Sequence, residues 1–133
     1  MEHFLALDIG GKRTGVAYAD EESGVPIPLA TLKHAYTGAL ARQVASLIAE
    51  RSITWLVVGL PLLPSGVEGA QAKRVRDAVA AFHVPATVRV EFFDERYTTP
   101  RGIHTDPDAS AACSLLLTYL HRFGAKVKGK EGS

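Results

Sequence analysis

LALDIGGKRTGVAYAD, residues 5–20, sets an acidic residue inside a run that otherwise reads as buried strand. Leu5, Ala6, Leu7 and Ile9 form the short continuous apolar run of a strand covered on both faces, and Asp8 interrupts it two residues before Gly10 and Gly11. The glycine pair, followed by Lys12 and Arg13, suits a hairpin because glycine reaches positive φ without steric cost. The stretch therefore predicts two antiparallel strands, 4–9 and 14–19, with a carboxylate near the end of the first. The ordinary role for Asp8 is to cap the turn, but an unpaired charge buried in a strand is costly, so a functional role is the expectation.

Beyond the hairpin, residues 28–33 predict a third strand. In GALARQVASLIAERS (38–52), Leu40, Val44, Leu47 and Ile48 follow helical spacing, and WLVVGL (55–60) is a continuous apolar run of buried-strand length. The Gly- and Pro-containing loop PLLPSGVEG (61–69) leads into AQAKRVRDAVAAF (70–82), where Ala72, Val75, Val79 and Phe82 form one apolar stripe. In TVRVEFF (87–93), Val88, Val90 and Phe92 alternate with Arg89 and Glu91, which predicts a strand exposed on one side. A last helix is expected from about 106 to 121, and the polar stretch GAKVKGKEGS (124–133) is expected to be a mobile tail. With no internal repeat and no second-domain boundary, the expected organisation is one domain over 1–123 and a flexible tail over 124–133. The order β-β-β-α-β-α-β-α implies an α/β fold: a mixed five-stranded sheet with flanking helices.

Composition narrows the function classes. A chain of 133 residues, 47% hydrophobic, fits one domain that buries ~65–70% of the surface its unfolded chain exposes. Lys and Arg number 15 against 14 Asp and Glu, so a polyanionic partner must be gripped by local cationic clusters and not by a global field. One cysteine, Cys113, excludes an internal disulfide and reads as a small core residue; no apolar stretch reaches the length of a membrane span. The start of the chain moves straight into a strand pattern, so a cytoplasmic setting without membrane contact is expected.

Further carboxylates stand at element ends. Asp94 and Glu95 close the strand in FFDERYTT (92–99), and DPDASAACSLLLTYL (106–120) opens a helix with Asp106 as N-cap, Pro107 at the first helical position and Asp108 just inside. Asp108, Ala112, Leu115 and Tyr119 share one side of that helix, and the small residues Ala109, Ser110, Ala111 and Ala112 allow close approach to a sheet. Three carboxylates thus stand to converge. Like charges in one partly buried site repel unless a cation compensates, and an all-oxygen cluster suits Mg²⁺ or Mn²⁺ better than zinc. Two such ions serve phosphodiester hydrolysis by activating water and stabilising the leaving oxygen.

Four motifs in order, LALDIGGKRTGVAYAD, VVGLPLLPSGVEGAQAKRVR, FFDERYTT and DASAACSLLLTYL, resemble the YqgF family over nearly the whole chain. That family is described both as Holliday-junction resolvases and as nucleases maturing the 5′ end of 16S ribosomal RNA. The resemblance implies a ribonuclease H-like fold and a catalytic, metal-binding triad carried onto Asp8, Glu95 and Asp108. The family's pattern has a longer insertion between its last two motifs; here only PRGIHTDP (100–107) intervenes, which leaves Asp106 as a rival to Asp108.

Ordinary roles compete with these. Glu95 has Arg96 beside it as an ion-pair partner, Asp108 suits any helix N-terminus, and Lys73, Arg74 and Arg76 make a solvated helix face as well as a phosphate grip. His34, His83, His104 and His121 lack metal-ligand spacing and read as incidental. An aspartate before a glycine hairpin also occurs in actin-like ATPases and sugar kinases, but those need two such domains, and GLPLLPSG lacks the ending of a P-loop. The expectation is a nuclease dependent on Mg²⁺ or Mn²⁺, with Lys12, Arg13, Lys73, Arg74, Arg96 and Tyr97 as substrate-binding candidates and Tyr18 as a second stacking candidate. RNA is expected over branched DNA, with ribosomal precursor particles as partners, because a near-neutral chain lacks the broad basic surface a junction requires. The alternatives are a Holliday junction resolvase-like DNA endonuclease and a catalytically silent ribosome-associated binding module.

Overall fold

The computed structural model describes residues 1–94 and 107–131. Its elements, in chain order, are β1 (His3–Ile9), β2 (Arg13–Asp20), β3 (Ile27–Pro28), β4 (Leu32–Lys33), α1 (Thr37–Glu50), β5 (Trp55–Leu60), α2 (Ala70–Ala80), β6 (Arg89–Asp94) and α3 (Pro107–Glu131). β1 is central, antiparallel to β2 and parallel to β5, and β6 continues the sheet parallel to β5, giving the order β3-β2-β1-β5-β6. This is the expected mixed sheet with flanking helices.

The third strand comes in two pieces, which brings the count to six strands. β3 and β4 both pair with β2; Thr14 faces Ile9 on one side and Leu32 on the other, so both pieces share the edge away from β1. Pro28 has no N–H for a ladder, and regular pairing resumes only at Leu32. The turn between β1 and β2 also differs from expectation. Positive φ is found among the described residues at Ser52, Gly24 and Gly66, not at Gly10 or Gly11. Gly10 is needed for close approach instead: its N–H donates to the Arg13 carbonyl at 2.9 Å, and a Cβ there would come within 2.6 Å of that oxygen.

Alternation along β1 assigns its side chains to two layers. Leu5 and Leu7 pack with Leu40, Val44 and Ile48 of α1, with Leu56 and Val58, and with Val75 and Val79 of α2. Phe4 and Ala6 point the other way, into a layer with Ala17, Ala19, Val57 and the α3 residues Ala112, Leu116 and Tyr119. Leu5, Leu56 and Leu116 are wholly buried, each contributing ~1.5–3 kcal/mol relative to exposure. The helices present the faces their spacing predicts, including Ala112, Leu115 and Tyr119 on α3. β6 departs from its expected half-burial: as the sheet's edge it leaves Val90 38% exposed, while Phe92 and Phe93 pack into opposite layers. The Tyr119 hydroxyl donates to Glu91 Oε2 across to this strand at 2.5 Å. The α3 backbone runs on to Glu131, past the helix end expected near 121. No helix among the described residues is long and apolar enough to cross a membrane.

Candidate functional site

Asp8 stands one position beyond the last β1–β5 pair, Leu7 and Val58, at the C-terminal end of the central strand. Phe4 and Ala6 pack in the α3 layer, so alternation sends Asp8 toward α3 as well. Its partner on β2 is Gly15, and continuing the parallel register by one residue places Gly59 beside it on β5. Glycine on both flanks puts no neighbouring side chain on β2 or β5 beside the carboxylate, which is half-buried at the rim and not enclosed in the core.

Gly15 also lets α3 in. A Cβ on Gly15 would lie 1.9 Å from the backbone oxygen of Asp108 and 3.2 Å from its Cα, so the first turn of α3 rests directly on this glycine. Because Gly15 is the cross-strand partner of Asp8, that contact brings Asp108 to the strand end that carries Asp8. The small residues Ala109 and Ala112, both buried, keep the helix close. Asp108 is half-buried, and its Oδ2 accepts from Arg13 Nε at 2.8 Å. Arg13 begins β2 and is exposed, so the cation expected to grip substrate is here paired with a candidate metal ligand.

The other expected residues divide. Glu95, Arg96, Tyr97 and Asp106 lie outside the described residues. Lys12 is exposed in the turn, and its carbonyl accepts from the His34 N–H at 3.0 Å. Lys73 and Arg74 are exposed on α2, whereas Arg76 is engaged by Glu68 through two hydrogen bonds of 2.6 and 2.9 Å. Tyr18 is not brought to the site: it pairs with Leu5, at the far end of β1 from Asp8, with its hydroxyl bonded to His3 Nδ1 at 2.7 Å and the Arg51 guanidinium over its ring. Cys113 is buried in the α3 layer, and burial pushes its thiol pKa up, as befits a core residue.

The sequence reading passed over Tyr36 and took His34 as incidental. His34 is buried, with Nε2 and Thr14 Oγ1 in a 2.8 Å hydrogen bond behind the β1–β2 turn, and burial pushes its pKa below the ordinary imidazole value. Tyr36 is 57% exposed just before α1. Both line an open cavity of about 810 Å³ between the turn, the start of α1 and α2, which Asp8 and Arg74 also line. His34 had no telling spacing, and an exposed tyrosine ahead of a helix carries no signal of its own.

The donors suit a hard cation. Among the described residues no three of His, Cys, Asp and Glu form a ready cage, but the two described members of the expected triad, Asp8 and Asp108, are both carboxylates at one strand end. An oxygen-only set fits Mg²⁺ or Mn²⁺ and not zinc.

The chain is similar to known proteins in both sequence and fold. The RuvX family model, described as Holliday junction resolvase, matches residues 2–122. A protein of Chloroflexus aggregans named "Putative pre-16S rRNA nuclease" is 38% identical over 130 residues, covering 87% of this chain and 91% of its own. A protein of the same name from Sulfurihydrogenibium is 32% identical, covering 92% of each chain. Among solved structures, Thermus thermophilus RuvC in complex with a Holliday junction substrate matches at TM-score 0.69 and 12% identity, covering 96% of this chain and 97% of that one. A Fowlpox virus resolvase in complex with Holliday junction DNA matches at 0.59 and 14%, covering 91% and 98%. The two structures share the fold of this chain, and the family model together with the relatives settles its membership: the chain belongs to the RuvX (YqgF) family.

Proposed function

We propose that this protein hydrolyses phosphodiester bonds in RNA, acting in 5′-end maturation of pre-16S rRNA, with Asp8, Glu95 and Asp108 as the catalytic carboxylates. The observation that carries the reading is the seating of α3 on Gly15, which gathers Asp8 and Asp108 at the end of β1. Asp94, the sequence neighbour of Glu95, ends β6 level with Leu60 at the same edge of the sheet. The names of the curated relatives favour ribosomal RNA as substrate.

The three carboxylates are assigned to hold one or two Mg²⁺ or Mn²⁺ ions, which when bound generate a nucleophile from water at neutral pH and stabilise the leaving oxygen. Asp8, on a strand paired on both sides, would hold its carboxylate at a position set by the sheet. Asp108 shares its carboxylate between this task and Arg13, which holds it in place at 2.8 Å. Lys12, Arg13 and Arg74 are exposed around the same strand end and supply the charge-assisted contacts that hold a phosphate backbone. Lys73, Arg96 and Tyr97 remain assigned to substrate binding, in a cytoplasmic setting where ribosomal precursor particles are formed.

The family description as Holliday junction resolvase keeps a branched-DNA substrate as the second reading. Matched single-stranded RNA, duplex RNA and four-way DNA junctions, tested at one salt concentration with Mg²⁺ and with Mn²⁺, separate the two. Faster cleavage of single-stranded RNA supports the proposal; paired nicking of the junction with the RNA left intact refutes it.

A further inference from the structure

The cavity between the β1–β2 turn, α1 and α2 lies on the side of the sheet opposite α3, yet Asp8 lines it at the strand end it shares with the carboxylate site. An extended chain lying across the end of β1 therefore passes from one to the other. At about 810 Å³ the cavity falls within the range of small-ligand sites, and Arg74 and Gln71 of α2 line it together with Tyr36.

Tyr36 is unusual among the lining residues. Exposed aromatics on a surface generally move, but this ring is positioned by its own helix. Its hydroxyl accepts from Arg42 Nη2 at 2.7 Å, and the Arg42 guanidinium lies 5.8 Å from the ring centroid. Gly38 supplies the space: a Cβ there would come within 2.8 Å of the ring at Cε2. The result is a pre-positioned aromatic surface, still 57% exposed, beside a cation. Aromatic surface plus cation is the combination that receives an unstacked base and its phosphate.

Resting on the nuclease reading above, we propose that this cavity is a nucleotide subsite: it receives an unpaired nucleotide of the substrate strand adjacent to the cleaved bond, its base stacked on Tyr36 and its phosphate on Arg74. A base inside a duplex offers no free face to the ring, so the subsite selects single-stranded substrate. Gln71 supplies an amide with both donor and acceptor for the base edge.

The test is binding without cleavage. An Asp8→Asn protein is titrated with a single-stranded RNA oligonucleotide carrying the fluorescent base 2-aminopurine at successive positions, since stacking on an aromatic ring quenches that base. Quenching at one position is expected, retained in Tyr36→Phe, lost in Tyr36→Ala and reduced in Gly38→Ala, where the ring is displaced but present. Affinity should fall roughly 5- to 100-fold in Tyr36→Ala. Equal quenching and affinity in Tyr36→Ala overturn the subsite. Tyr36-dependent binding in a protein whose wild type cleaves nothing refutes the nuclease reading and leaves the subsite standing; metal-dependent cleavage with Tyr36-independent binding does the reverse.

Discussion

Gly15 and Asp108 are in contact at a distance that only glycine permits: a Cβ on Gly15 would sit 1.9 Å from the Asp108 backbone oxygen. A residue on the second strand thereby sets where a carboxylate on the last helix lies relative to Asp8. Gly15→Ala must push α3 away from β2. Overpacking of this kind costs typically ~1–3 kcal/mol, and here the clash is with backbone that has no rotamer to change. Urea denaturation should show a loss in that range, with cleavage reduced far beyond what the unfolded fraction explains. A variant with native stability and full cleavage would show that the helix position is unimportant.

Arg13 and Asp108 form an ion pair exposed enough, at 52% and 33%, for solvent to screen most of its energy. Arg13→Ala should therefore change stability by less than ~1 kcal/mol. It should strengthen Mn²⁺ binding, read by calorimetric titration, because the carboxylate no longer shares its charge with a guanidinium. Weaker Mn²⁺ binding in this variant would mean that the hold of Arg13 on the carboxylate outweighs its competition for the charge.

Asp108 and Asp106 are to be separated by the same titration. Asp108→Asn should lose both cleavage and metal affinity, whereas Asp106→Asn should lose neither, since asparagine serves equally as an N-cap. The reverse order would move the third ligand two residues toward the N-terminus.

How far the sequence discloses this site depends on whether the signal is local. Asp8 stands out because a charge interrupts an apolar strand, and Asp108 because it heads the stripe that buries Ala112, Leu115 and Tyr119. The role of Gly15 is invisible in the sequence: it arises from strand register and from a helix more than ninety residues later. Tyr18 misleads for a related reason. It is close to Asp8 along the chain, but an antiparallel hairpin carries it back to the level of Leu5. Tyr36 gains its orientation from Gly38 and Arg42, a relation that spacing alone does not display. The third strand reads as continuous because hydrophobic pattern does not register where strand pairing lapses between Pro28 and Leu32.

His34 gives the fold a pH dependence. Its pKa is lowered by burial from 6.5, so the folded state favours the neutral imidazole bonded to Thr14. A depressed pKa contributes stability that is fully present above the unfolded value of 6.5 and is lost as pH falls through the folded value. The unfolding temperature should fall as pH drops below 6.5, and fall less in His34→Gln, which keeps a partner for Thr14 without titrating. Identical pH profiles for the two proteins would place the sensitive group elsewhere.

The central claim, that Asp8 is a catalytic carboxylate and not a structural one, is tested most directly by Asp8→Asn. The change removes an anionic metal ligand while preserving volume, so chemistry should fail before folding does. The measurement is cleavage of single-stranded RNA with added Mg²⁺ or Mn²⁺, alongside circular dichroism and RNA binding for the same preparation. The account predicts an intact fold, retained RNA binding and no metal-dependent cleavage; turnover at the wild-type rate in the folded variant would contradict it.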